Sequence, residues 1–157
     1  MSAGWPRIHC GNPHRAKTQS VLRVAVPTAA GLSSTQSVSY SVSYNVCTLN
    51  SPSVAVKSGA VIPLKMYLCD FRGNDVSNSG VIVHATKLIQ VSTQASDAIV
   101  TAGSANPDND FRFDSTLGPA GGYIFNLLAN LPTGTYNLFF TAGNDPSKSH
   151  FLTFQVN

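Results

Sequence analysis

Glutamate is absent from this 157-residue chain, whose seven acidic residues are all aspartate. Glutamate is a strong helix former and the usual closing partner of capping boxes, so its absence argues against much helix. It also removes one of the two carboxylates that serve as general acids and bases. Charge of either sign is scarce, at 11% of residues against 43% hydrophobic. Ser, Thr, Asn and Gln must therefore cover most of the surface, which suits an extracellular all-β module better than a cytosolic helical enzyme. No acid precedes Asp70, whereas Arg7, Arg15, Lys17, Arg23, Lys57 and Lys65 all do. The leading basic residues are scattered among Pro, His and Ser without interleaved aromatics. They read as a solvated tail, and no nucleic-acid partner is expected.

Long apolar runs are missing as well. Val21-Leu22-Arg23-Val24-Ala25-Val26 is short and broken by Arg23, so it matches neither a signal-peptide core nor a membrane span. Either the protein is cytosolic or residue 1 is not the true start of a secreted product. Residues 1–35 are expected to be a disordered or truncated upstream segment, and 36–157 the folded domain.

Catalytic signatures are equally sparse. No His-Glu-x-x-His, P-loop or Gly-x-Gly-x-x-Gly occurs. His84 falls mid-strand, His150 opens the last strand, and His9 and His14 sit in the tail, without the Gly-x-Ser-x-Gly elbow a nucleophilic triad needs. The chain is not expected to be an enzyme. Three cysteines leave at least one unpaired within a monomer, and no C-x-x-C spacing offers a structural zinc site. Cys47 and Cys69 lie in adjoining predicted strands and could pair in an oxidising compartment, leaving Cys10 over. Spacing alone does not fix that connectivity.

What the chain has is alternation. Val38, Tyr40, Val42, Tyr44 and Val46 alternate with Ser and Asn from Gln36 onward. Ile62, Leu64, Met66 and Leu68 share one face of the next long strand, with Val61, Pro63, Lys65, Tyr67 and Cys69 on the other. Pro63 cannot donate to a ladder and so marks a strand edge or bulge. Further strands are expected at 54–56, 81–88, 98–100, 111–114, 123–128, 135–141 and 151–156, separated by Gly, Pro, Asn and Asp turns. Seven or eight such strands describe an all-β sandwich.

One loop carries clustered carboxylates. Asn106-Pro107-Asp108-Asn109-Asp110, with Asp114 nearby, could supply oxygens to a hard cation such as calcium. Asx-rich loops more often turn the backbone, and the Gly and terminal Glu of an EF-hand are missing. Asp108, Asp110 and Asp114 are thus weak metal candidates, and no other cofactor is expected.

Several short motifs fall in one order along the chain: Lys57-Ser58-Gly59, Ile62-Pro63-Leu64-Lys65, Leu68-Cys69-Asp70, Gly73-Asn74, Asn106-Pro107-Asp108 and Phe111-Arg112-Phe113-Asp114. Gly121-Gly122-Tyr123, Leu131-Pro132-Thr133-Gly134-Thr135-Tyr136 and Thr141-Ala142-Gly143 follow. Over residues 46–157 this order resembles the bacterial C-terminal Ig-like domain that carries a Pro-x-Lys-Phe signature (the PxKF type). Met66 stands where that signature has an aromatic, a change that repacks a core without altering its fold. The resemblance implies an Ig-like sandwich at the end of a larger secreted or surface protein. Its partners would be the other domains of that protein. It further implies a non-catalytic structural or adhesion-support role, outside the cell. In that setting Tyr136 resembles the tyrosine corner of Ig-type sandwiches, whose hydroxyl bonds backbone a few residues upstream. A carbohydrate- or ligand-binding sandwich is the alternative, with Tyr67, Trp5 or loop aromatics as stacking platforms for a glycan or other surface ligand.

Overall fold

The computed structural model describes residues 20–27, 33–40, 43–51, 54–143 and 145–157, the first two segments by their backbone. Strands β1 (Ser20–Pro27) and β2 (Ser33–Tyr40) form an antiparallel pair of their own. β1 lies before residue 36, and β2 runs across the 35/36 position. The run judged too short for a signal peptide alternates Leu22, Val24 and Val26 with Val21, Arg23 and Ala25, which is enough for eight extended residues. The single strand expected from Gln36 to Val46 is divided: β2 ends at Tyr40, and β3 (Asn45–Thr48) belongs to a different sheet.

Among the described residues, nine strands make the sandwich. They are β3, β4 (Ala55–Val56), β5 (Val61–Cys69), β6 (Val83–Gln90), β7 (Ser96–Asp97), β8 (Arg112–Asp114), β9 (Gly122–Leu128), β10 (Gly134–Ala142) and β11 (His150–Val156). One sheet runs β3-β5-β9-β8 and the other β4-β11-β10-β6-β7. The strand expected at 98–100 is instead the two-residue β7 at Ser96–Asp97. β4 and β7, at the rims of the five-stranded sheet, are only two residues long. All pairs are antiparallel except β4 with β11. Lettered in chain order, β3-β5-β9-β8 is the A-B-E-D sheet of an immunoglobulin sandwich, and β6, β10 and β11 are its C, F and G strands. The fold is an all-β, Ig-like sandwich.

Both sheets turn their alternating apolar faces inward. Ile62, Leu64, Met66 and Leu68 of β5 and Tyr123, Phe125 and Leu127 of β9 oppose Val83, Ala85 and Leu88, Tyr136, Leu138 and Phe140, and Leu152, Phe154 and Val156. Antibody-type domains place a disulfide between strands B and F here, its second cysteine two residues after the corner tyrosine, with a Trp from strand C against it. Leu138 occupies that position, with no exposed surface. Phe111 fills the centre instead, lying 4.9 Å from Phe125 and 5.2 Å from Phe140 between ring centroids. At the turn into β9, Gly121 and Gly122 admit no side chain. A Cβ would come within 2.5 Å of the Phe113 ring at the first and 2.7 Å of the Met66 carbonyl at the second.

Two asparagine side chains finish the four-stranded sheet. On β9 the Ile124 carbonyl accepts from Asn106 Nδ2 (3.3 Å), and the Asn126 N–H donates to Asn106 Oδ1 (2.8 Å). On β5 the Pro63 carbonyl accepts from Asn50 Nδ2 (3.0 Å), and the Lys65 N–H donates to Asn50 Oδ1. Lys65 pairs with Ile124 and Pro63 with Asn126, so two amides grip opposite edges of the central strand pair at one level. Each stands in for a peptide group of a strand that has stopped. Pro63 therefore lies on a local strand edge, as its missing N–H suggested, and not in a bulge. Its carbonyl points outward to Asn50, so its missing N–H faces the edge beyond the end of β3 and takes nothing from the β5–β9 ladder.

Candidate interaction face and disulfide edge

The structure joins Cys47 to Cys69 across β3 and β5, with Cα atoms 6.1 Å apart and a sequence separation of 22. Cys47 lies opposite Tyr67 and Cys69 opposite Asn45, so the bridge runs diagonally within one sheet. By alternation with Lys65 and Tyr67 it sits on the face turned away from the core. Cys69 is 2% exposed and forms an antiparallel bridge with Asp75 of the loop after β5. That loop is held by Asp70, whose carboxylate accepts from the Arg72 and Asn74 N–H groups at 2.8 and 2.9 Å and from Asn74 Nδ2 at 3.0 Å. The Asn74 side-chain bond leads in holding the Asp70 carboxyl below its usual pKa. A covalent loop of this length stabilises by about 3 kcal/mol, through the entropy it removes from the unfolded chain.

Tyr136 stands at the start of β10, fully buried, and its hydroxyl donates to the Pro132 carbonyl at 2.9 Å. β10 is strand F, and the geometry is that of the tyrosine corner. Its ring stacks on Phe154 at 5.7 Å. A second buried tyrosine, Tyr123, makes a comparable tie: its hydroxyl donates to the Asn78 carbonyl (2.9 Å) and accepts from the Asn78 N–H (3.3 Å). Burial pushes the Tyr123 hydroxyl up to about 12.

The three weak metal candidates are not brought together. Asp110 Oδ1 lies 2.7 Å from His84 Nδ1 on the neighbouring strand. Asp114 turns back onto its own loop, accepting from the Thr116 N–H at 2.9 Å and hydroxyl at 2.7 Å. Asp108 sits in a single 3-10 turn, Pro107–Asn109, with φ of 55°. Among the described residues no group of three or more His, Cys, Asp or Glu could hold a metal ion.

Solvent-facing aromatic surface gathers on the five-stranded sheet. Cross-strand partners Phe151, Phe139 and Lys87 form one row through β11, β10 and β6. The two rings are 5.6 Å apart, and Lys87 Nζ lies 4.6 Å from the Phe139 centroid. A β-bulge opposite Phe139 makes room for this row. Phe139 pairs with Lys87 and Phe140 with Ala85, leaving Thr86 unpaired, and its hydroxyl donates to the Phe139 carbonyl at 3.3 Å. Phe151 is 53% exposed. The next row holds Thr153, Asn137 and Ile89, with the Thr153 hydroxyl donating to Asn137 Oδ1 at 2.8 Å. Tyr67 sits on the opposite sheet, half-buried beside Gly118. Trp5, His9, Cys10 and His14 lie outside the described residues.

Beside Phe151, where β3 leaves one sheet and β4 joins the other, a pocket of about 160 Å³ is lined by Thr48, Asn50, Leu64, Phe151, Leu152 and Thr153. It is smaller than the roughly 300–1,000 Å³ of drug-sized ligand sites. Among the described residues no helix is long and apolar enough to cross a membrane.

No known protein family and no curated protein matches this chain. Among solved structures, it is similar to domains 4 and 5 of the S-layer protein SbsC, at 14% identity and a TM-score of 0.37. That likeness covers 88% of this chain and 58% of the other.

Proposed function

We propose that the protein is a non-catalytic structural module of the PxKF-type Ig-like kind, spacing or capping a larger secreted or surface protein. The observation that carries this reading is the Cys47–Cys69 bridge at the entry edge of a fully packed Ig-like sandwich. Such bridges persist in oxidising compartments and are rare in cytosolic proteins. Differential alkylation of the protein taken from its natural cells, followed by mass spectrometry, tests it. A bridged Cys47–Cys69 peptide is expected. Recovery of both cysteines as free thiols would overturn the extracellular assignment.

A second reading, a glycan-binding face, is favoured by the row Phe151–Phe139–Lys87 with Asn137 and Thr153 beside it. An open ring stacks on the apolar face of a sugar, while amide, hydroxyl and ammonium groups bond its hydroxyls. A glycan array probed with the wild type and Phe151→Ala separates the readings. Binding that Phe151→Ala abolishes supports the second, and no binding to any glycan leaves the first.

A further inference from the structure

We infer that the Cys47–Cys69 bridge is a tension bypass, which takes pulling force arriving along the upstream chain and carries it past β3, β4 and β5. The inference rests on the surface-module reading for the source of the tension, and on chain order for the rest. The upstream segment enters through β3, an edge strand of four residues that pairs only with β5. β3 is antiparallel to β5, with Asn45 at its outer end opposite Cys69. A pull on residues before Asn45 therefore bears on a ladder of only four residue pairs. Covalent attachment at Cys47 keeps all but the first two residues of β3 in place.

What lies behind the bridge is the costly part of the fold. Residues 48–68 are closed into a covalent loop that holds the end of β3, the Asn50 clamp, β4 and nearly all of β5. β5 supplies Ile62, Leu64, Met66 and Leu68 to the core. β4 and the turn after it hold the C-terminal end of β11. The Val56 carbonyl accepts from the Asn157 N–H at 2.8 Å, and the Ser58 N–H donates to the Asn157 carbonyl at 3.0 Å. With the bridge intact, tension passes from Cys47 through sulfur to Cys69 and on into the 70–82 loop. Without it, tension runs through 48–68 and strips β3, β4 and β5 in turn. Antibody-type B–F bridges tie the two sheets together; this one ties the entry strand to its neighbour within one sheet.

Single-molecule pulling on the full chain, with handles at its two ends, tests the inference. Apart from the opening of the β1–β2 pair, common to both forms, the oxidised protein should show no early low-force step and should unfold to a contour length about 70 Å shorter than the reduced one. That difference follows from roughly 3.5 Å per extended residue over the 22-residue separation, less the 6.1 Å between the two Cα atoms. The reduced protein, or Cys47→Ser/Cys69→Ser, should show the early step before the main event. If the double variant does not fold, reductant added to folded wild type in the instrument gives the same comparison. An early step beyond that of the β1–β2 pair that persists in the oxidised protein, or equal contour lengths with and without reductant, would overturn the bypass. Because the purified chain is pulled, neither result depends on where the protein resides in the cell. Failure of the surface reading would appear separately, in the alkylation experiment.

Discussion

Replacing Asn106 with alanine should be among the most damaging polar substitutions in the sandwich. The residue is 3% exposed and makes three hydrogen bonds: from Nδ2 to the Asp110 and Ile124 carbonyls (3.0 and 3.3 Å), and at Oδ1 from the Asn126 N–H (2.8 Å). Alanine removes all three and leaves backbone groups of β9 facing a space no strand occupies. An unsatisfied buried polar group costs about 1–3 kcal/mol, and β9 would hold two. Asn126 is only half-buried, so water can reach part of the vacated edge and recover some of the loss. The net expectation is about 2–4 kcal/mol. On a domain of this size that is a fall in Tm of roughly 10 °C, taking about 4 °C per kcal/mol.

Urea denaturation at equilibrium measures this directly, as a lower midpoint with an unchanged slope. Asn50→Ala supplies the control. Its amide makes the same kind of clamp on β5, but the residue is half exposed, so water replaces what is lost and the cost should stay below about 1 kcal/mol. A loss below about 0.5 kcal/mol for Asn106→Ala, or equal losses for the two variants, would refute the account of the amide as a stand-in for buried backbone.

Three further outcomes are expected. Tyr136→Phe should cost about 1 kcal/mol by urea midpoint, one hydrogen bond to Pro132 with the ring stacking kept; an unchanged midpoint would remove the corner from the list of stabilising contacts. Cys47→Ala should cost about 3 kcal/mol under oxidising conditions and little under reducing ones, and equal losses in both would mean that the bridge does not stabilise the fold. The His150 imidazole is held below its usual pKa, first by burial and then by Lys148. The unfolded chain therefore takes up its proton first as pH falls. Stability contributed by neutral His150 is full above about 6.5 and lost as pH drops toward the lower folded value. His150→Gln should flatten the decline in Tm between pH 7 and 5, and an identical decline in both proteins would contradict this.

Much of the strand pattern was legible because alternation is local. Ile62, Leu64, Met66 and Leu68, and Tyr136, Leu138 and Phe140, declare a buried face in a few residues each, and all are buried. The segment from Gly122 to Val156 reads as three consecutive strands, and so it folds. That β9 ends in one sheet while β10 and β11 belong to the other is not local information. It depends on partners tens of residues away, such as Ile62 opposite Leu127 or Leu138 opposite Leu88.

The sites were legible in a different measure. A Gly-x-Tyr before a strand has a local geometry, and Tyr136 reaches a carbonyl only four residues back. Asn106 carries no comparable mark. In the sequence it sits among Pro, Asp and Asn, where the simplest expectation is an Asx turn or an oxygen ligand. Its amide is instead spent on β9, whose Ile124 and Asn126 lie 18 and 20 residues on. The aromatic face was hidden for a related reason. Phe139 and Phe151 each look like one more apolar residue on the far side of an alternating strand. Only the β10–β11 register and the bulge at Thr86 place them together with Lys87 on a solvent-facing row. The Cys47–Cys69 pair lay between these cases. Two cysteines in adjoining strands are compatible with a bridge within one sheet or with thiols facing apart, and register decides. Cys47 opposite Tyr67 and Cys69 opposite Asn45 set them on one face at diagonal positions. The same register makes the bridge a stop two residues into β3, so one local pairing fixes both the stability the disulfide adds and the path that force can take through the fold.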